Sequence, residues 1–345
     1  MVLWPAKAYL AGRTFATSVS RANALRSRDV NGKSASGKGT EGPHIKDLPP
    51  KPTTPTTDTA QGVTGDWVLF HPVYTPEELR SVQVLHRNAD TISDKVAYGF
   101  VQLARRVFDL VSGYKHKPLP ANFDQLSSEE RQAYFMDETQ WLRRILFLES
   151  IAAVPGMVAA TLRHLRSLRL MAKAENERMH LMTFMTLKNP SILFRAMILA
   201  AQGVFYNAFF LCYMVSPKTC HRFVGHLEEE AVITYTRCIE EIEAGHLPAW
   251  ANLPAPEIAK DYWRLGPDAK ILDVIYAVRS DESTHRFVNH SLASLKYGSD
   301  VNPFALREPD MTTKGSRICF ERSDSLQFVE ESQKLIEKEE EHRVA

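Results

Sequence analysis

The chain has 345 residues, of which 44% are hydrophobic, 10% aromatic and 24% charged, enough apolar material for a sizeable core in one large or two small domains. Lys and Arg number 42 against 41 Asp and Glu, a net charge of +1, so there is no basic footprint for nucleic acid. Four cysteines, Cys212, Cys220, Cys238 and Cys319, have neither CxxC spacing nor the density of a disulfide scaffold and read as reduced intracellular thiols.

Residues 1–40 carry seven Lys or Arg and one acid, Asp29, among Ser, Thr and Ala. Arg-rich, Ser-rich and acid-poor composition predicts a mitochondrial transit peptide. Residues 41–65 are rich in Pro and Thr without apolar periodicity and read as a linker, with the ordered domain starting near Trp67. From Thr75 the period is helical. Thr75-Pro76-Glu77-Glu78 starts a helix expected to run towards Gly113, because a capping threonine, a proline and then acids favour a first turn. A polar connection at 114–137 follows, with a short helical stretch around Ser127–Tyr134. Helices are then expected at 138–169, 171–188, 191–215, 217–244 and 268–295, punctuated by Pro190, Pro217, Gly245 and Gly266. The helical domain is placed at 66–298 and a polar tail, an exposed helix or disorder, at 299–345. Ala196–Val215 is 20 residues without a charge; by composition it fits a bilayer span, a helix in the membrane surface, or a buried core helix.

Glu-x-x-His occurs five times, beginning at Glu41, Glu177, Glu243, Glu282 and Glu339. Three lie in the linker, at a helix end and in the acidic tail, and read as solvated. Glu177/His180 and Glu282/His285 lie inside amphipathic helical stretches, where a spacing of three puts both side chains on one face. Glu149 and Glu228 interrupt apolar runs. A buried, unpaired carboxylate costs several kcal/mol, so such a glutamate needs a cation or a proton; the plain partners would be Arg143 or Arg144. Two helices with a lone Glu and two with Glu-x-x-His form the pattern of ferritin-like di-iron carboxylate bundles. The simpler reading is a bundle whose Glu and His residues are salt-bridged or solvated.

LESIAAVPGMV (148–158), NERMHLMTF (176–184), LEEEAVITYT (227–236) and SDESTHRFVNH (280–290), in this order, closely resemble the mitochondrial alternative oxidases, and the likeness runs from about Trp67 to Phe304. The resemblance implies an all-α, ferritin-like four-helix di-iron bundle with additional membrane-surface helices. That fold would be monotopic on the matrix side of the mitochondrial inner membrane and homodimeric. The implied reaction is cyanide-insensitive, non-pumping oxidation of ubiquinol by dioxygen. Carried over by position, Glu149, Glu177, Glu228 and Glu282 would ligate two iron ions, with His180 and His285 as ligands or one step behind. Tyr235 would be a redox-active tyrosine beside them, and Asn176, Asp281, Tyr262 and Trp263 would support the centre. Arg105, Asp109, Arg144, Leu148, Glu230, Ala231 and Thr234 would line the ubiquinol pocket, although Arg105 and Asp109, at i and i+4, also fit a plain helix ion pair. The first and fourth helices would lie in one leaflet, which makes 196–215 in-plane.

The chain departs from the family between Glu149 and Glu177, where Arg163–His180 runs on directly and lacks roughly three helical turns. That stretch has no Gly or Pro and is rich in helix formers. One uninterrupted helix over 157–187 would hold Glu149 and Glu177 up to about 42 Å apart, at 1.5 Å per residue. A hairpin turning near Arg166–Lys173, or a chain lacking a short segment, are the other readings. Accordingly two rivals stand beside the oxidase: a metal-free, inactive membrane-associated protein, and a di-iron hydroxylase of a quinone precursor, against which the LEEEAVITYT tyrosine argues. With no Cys before Cys212, thiol control of the kind some family members carry is not expected.

Overall fold

The computed structural model describes residues 73–114, 119–167, 172–188 and 190–344. The expected transit peptide, the linker and the start at Trp67 lie outside them. The described residues form α-helices, two 3-10 turns and no strand; Pro254 and Lys270 make one isolated antiparallel bridge.

Thr75 does cap a helix, α1 (Pro76–Arg80), through a capping box with Glu78, but α1 ends after little more than a turn. The long helix restarts at a second capping box, Thr91 with Asp94, as α2 (Ile92–Ser112), and stops at Gly113 in the left-handed region (φ 73°). The expected continuous helix from Thr75 is therefore two helices joined by an extended stretch. That stretch stays extended because its backbone polar groups are taken by other elements. The Leu79 and Gln83 carbonyls accept from Arg279 and Arg286 (2.9 and 2.8 Å), and Gln83 N–H donates to the Gly315 carbonyl (3.0 Å). The 114–137 connection contains a 3-10 turn at Phe123–Gln125 and the short α3 (Ser128–Gln132).

Next come α4 (Glu138–Ser167), α5 (Ala172–Leu187), α6 (Ile192–Val215) and α7 (Pro217–Glu243). Ser191 and Ser216 cap α6 and α7, and Pro217 occupies the first turn of α7, where its missing N–H costs nothing. After α8 (Pro248–Ala251) and α9 (Glu257–Trp263) comes α10 (Ile271–Ser294), the central buried helix. The four long helices that matter pack as two pairs, α4 with α5 and α7 with α10, while α2 lies along α7 and α6 along α4. Because α4 and α5 are separate and mutually packed, the uninterrupted-helix reading of 157–187 is overturned in favour of the hairpin.

The main core joins Trp141, Ile145 and Leu146 of α4, Met179 and Phe184 of α5, Val232, Tyr235 and Ile239 of α7, and Ile275 and Val278 of α10. Each such side chain contributes about 1.5–3 kcal/mol by leaving water. A second cluster, Val158, Phe209, Cys220 and Val224, fastens α6 to α4 and α7. The segment expected as a tail holds α11 (Met311–Ser316) and α12 (Arg322–Val344). It packs rather than trails: Met311 joins the main core, Phe320 meets Phe287 of α10 edge-on, and Phe328 packs in turn on Phe320.

Among the described residues, two helices have length and composition sufficient to cross a membrane: the first 25 residues of α4, half-buried, and α6. Only Ile198 and Phe209 of α6 are buried, and Ile192 is 87% exposed, so the core reading of 196–215 is overturned. An exposed apolar stripe also runs along α2 through Ile92, Val96, Phe100, Leu103, Val107 and Leu110, at the spacing of one helical face.

Candidate metal centre

The paired helices bring all six expected ligating residues to one place: Glu149 from α4, Glu177 and His180 from α5, Glu228 from α7, and Glu282 and His285 from α10. All are 2% exposed or less except His285 at 9%. Two sets of four can each surround an ion, with donor atoms within 4.8 Å of one another: Glu149, Glu177, His180 and Glu282, and then Glu177, Glu228, Glu282 and His285. Glu177 and Glu282 belong to both sets, which defines two adjoining sites bridged by two carboxylates.

His180 Nδ1 lies 3.4 Å from Glu149, 3.3 Å from Glu282 and 3.7 Å from Glu177. His285 Nδ1 is 3.0 Å from Glu177 and 3.5 Å from Glu282. The other nitrogen of His180 meets Asp281 Oδ2 at 2.9 Å. That same oxygen accepts from Asn176 Nδ2 (2.9 Å) and Trp263 Nε1 (3.0 Å), while Oδ1 accepts from Tyr74. Asn176 also donates to Tyr262 Oη (2.9 Å). Asp281 thus fixes the His180 ring and directs Nδ1 into the cluster, the usual arrangement around a ligating histidine. Tyr235, 0% exposed, donates to Glu149.

The electrostatics call for a cation. Burial, then the charges of Glu177 and Glu228, push the Glu282 carboxyl up to about 8. Burial also raises Glu149, and burial with the Glu149 charge raises the Tyr235 phenol well above its ordinary value. Burial opposes a charged His180, yet its bond to Asp281 and the nearby Glu149 and Glu282 carboxylates outweigh it and hold the imidazole pKa well above the usual one. Glu149 Oε2, His180 Nδ1 and Glu282 Oε2 are buried without a hydrogen bond. Buried donors of this kind, crowded together and facing inward, fit divalent ions bound by oxygen and imidazole.

Beside the centre, the expected pocket residues form a charged chain. Arg144 Nη2 meets Asp109 Oδ1 at 2.7 Å, Arg105 Nε meets Asp109 Oδ2 at 3.0 Å, and Arg105 bonds Glu230, which also accepts from Gln102 (3.3 Å). The Arg105–Asp109 helix pair is therefore present but is part of a longer network. The buried Arg144 is sandwiched by the rings of Phe108 and Tyr114, 4.2 and 4.4 Å from its guanidinium carbon. Leu148 lies one turn beyond Arg144 on α4 and is half-buried; Ala231 is buried; Thr234 spends its hydroxyl on the Glu230 carbonyl (2.8 Å). Sequence reasoning missed Tyr74, because nothing in a lone tyrosine ahead of α1 signals a bond to Asp281, 207 positions away. It also left Glu229 unassigned inside the triple-Glu run.

A helical bundle with this inward-facing donor set has the makings of a metal-binding carboxylate–histidine bundle. Residues 74–294 match the alternative oxidase family. The chain is 49% identical over 316 residues to a mitochondrial alternative oxidase of Cryptococcus neoformans var. grubii, covering 87% of this chain and 78% of that protein. It is 50% identical over 278 residues to one from Emericella nidulans (77% and 75%) and 49% over 255 residues to one from Yarrowia lipolytica (70% and 69%). The chain belongs to the alternative oxidase family and is an oxidoreductase.

Proposed function

We propose that this chain is a mitochondrial terminal oxidase that passes electrons from ubiquinol to dioxygen at a di-iron centre, insensitive to cyanide and without proton pumping. The reaction is two ubiquinols plus dioxygen giving two ubiquinones and two waters. The observation that carries the reading is the pair of donor sets sharing Glu177 and Glu282. Glu177 and Glu282 would bridge the two ions, Glu149 and Glu228 would each serve one, and His180 and His285 would complete the sets. When bound, two ferrous ions supply a pair of adjacent one-electron donors suited to dioxygen. The chain's own residues do the rest. Asp281 holds His180 in one orientation. Tyr235, bonded to Glu149, is placed to exchange a proton and an electron with the centre. A substrate ring needs an apolar slot with few polar groups; Leu148 and Ala231 offer the first, and Arg144, Asp109, Arg105 and Glu230 offer exchangeable protons and fixed charge.

The apolar faces of α2 and α6 support residence in the plane of the inner membrane on the matrix side, in a homodimer, and residues 1–40 are proposed as the import signal. The domain is taken to begin at 66, preceded by the 41–65 linker, and to include the packed helices α11 and α12. The hairpin of α4 and α5 favours the oxidase over a metal-free bundle, and Tyr235 at the cluster favours it over a hydroxylase. Iron analysis of the purified chain tests the ligand roles: two ions per chain are expected. Removal of a shared carboxylate (Glu177→Ala or Glu282→Ala) should lose both, whereas Glu149→Ala should lose about one. Wild-type protein without iron, or shared and unshared positions behaving alike, would refute the assignment.

A further inference from the structure

A second convergence of donors lies where the extended stretch after α1 crosses α7 and α10. Glu229 follows Glu228, and successive helical residues point about 100° apart, so the two carboxylates serve different surroundings. Glu229 Oε2 is bonded by His86, and Oε1 is approached by His226 Nδ1 (3.1 Å), His290 Nε2 (2.8 Å) and the Arg87 backbone N–H (3.1 Å). The ring nitrogens of His86 and His226 and a Glu229 oxygen lie within 4.8 Å of one another. Arg222 Nη1 lies 2.9 Å from His290 Nδ1. An arginine only donates, so His290 carries its proton on Nε2 and gives it to Glu229. Asp94, 2.8 Å from Arg222 Nε, balances the arginine. His226 is 1% exposed and its Nε2 has no hydrogen-bond partner among the described residues. The His86 side chain is 54% exposed and opens the cluster to solvent. Burial opposes the Glu229 charge, yet the bonds from His226 and His290 hold its carboxyl down at about 2.

We infer that His86, His226 and Glu229 form a second metal site, for a zinc-class transition-metal dication. Two imidazoles and one carboxylate are a donor set for zinc with water in the open position; calcium and magnesium prefer all-oxygen shells. His290, locked by Arg222, orients the carboxylate from behind as outer-shell groups do. The ion would fasten the extended stretch to α7. It does no chemistry on substrate, and the inference stands apart from the ubiquinol reading.

The test uses the full iron-loaded chain, equilibrated with ZnCl2 and freed of loose metal by gel filtration. One zinc per chain should remain in addition to unchanged iron, with a higher melting temperature, and Co2+ in its place should give the visible bands of a nitrogen/oxygen site. His86→Ala alters an exposed residue outside the iron centre; it should weaken zinc binding at least about tenfold, the lower bound for losing a group that serves a metal, with iron content and oxygen uptake unchanged. His226→Gln should do the same. No retained zinc, zinc gained only at the expense of iron, or equal retention in His86→Ala would overturn the site and leave a hydrogen-bonded cluster alone.

Discussion

Asp281→Asn isolates what the carboxylate behind His180 contributes. An asparagine oxygen in the Oδ2 position still accepts from Asn176, Trp263 and His180, and its amide can donate to Tyr74, so packing and the His180 tautomer survive. What disappears is charge. Three bonds change from charge-assisted to neutral, a loss of about 1 kcal/mol each, partly offset because a neutral amide is cheaper to bury than a carboxylate. The net is about 2 kcal/mol for the metal-free protein, or roughly 3–4 °C in melting temperature for a chain of this size. The less basic His180 should also weaken iron binding by roughly 10–100-fold, the range for groups behind a metal ligand. Asp281→Ala is the harsher comparison: four buried donors, on Tyr74, Asn176, His180 and Trp263, lose their acceptor at about 1–3 kcal/mol each, enough to threaten folding. Melting of the metal-free protein and competition for iron with a chelator read the two effects separately. An Asp281→Asn variant with wild-type melting and wild-type iron affinity would refute the role assigned to Asp281.

Gly225→Ala should destabilise the fold by about 1–2 kcal/mol in denaturant unfolding, because a Cβ there would sit 2.6 Å from the His290 ring, which Arg222 and Glu229 prevent from moving; the helix-propensity gain of about 1 kcal/mol only offsets part of the clash. Asp300 is held down at about 2, first by its bonds from Arg322. A depressed carboxyl stabilises above its unfolded pKa of about 3.9 and loses that contribution as pH falls through the folded value. Arg322→Gln should therefore be less stable than wild type at pH 5, with the difference vanishing towards pH 2, and a difference that persists there would contradict the pairing. Phe100→Asp with Leu103→Asp, both on the exposed stripe of α2, should leave melting nearly unchanged yet release the chain from liposomes in a flotation assay; retained binding would count against the membrane face.

The boundaries of α6 and α7 were legible because Ser191, Ser216, Pro217 and Gly245 are strong local stop and start signals. The six clustered donor residues were legible on two grounds: Glu149 and Glu228 interrupt apolar runs, where an unpaired carboxylate is costly, and Glu177/His180 and Glu282/His285 repeat a Glu-x-x-His spacing on one helical face. What escaped were features set by distant contacts. The stretch after α1 reads as helix but is pulled straight by Arg279, Arg286 and Gly315, which local propensity cannot register. The packing of α12 rests on three phenylalanines spread over 41 positions. The sequence between α4 and α5 carries no Gly or Pro, so only the mutual packing of the two helices reveals that they are separate. Tyr74 had no signal, since Asp281 lies far along the chain; of the histidines at Glu229 only His226 is local, while His86 and His290 are remote.

The most direct test of the account is ubiquinol-dependent oxygen uptake, with cyanide present, by membranes containing this chain beside membranes containing Glu282→Ala. Uptake by the first and none by the second is the predicted result, because Glu282 belongs to both donor sets. No uptake by a well-expressed, iron-loaded, membrane-bound chain, or equal uptake by the variant, would contradict it.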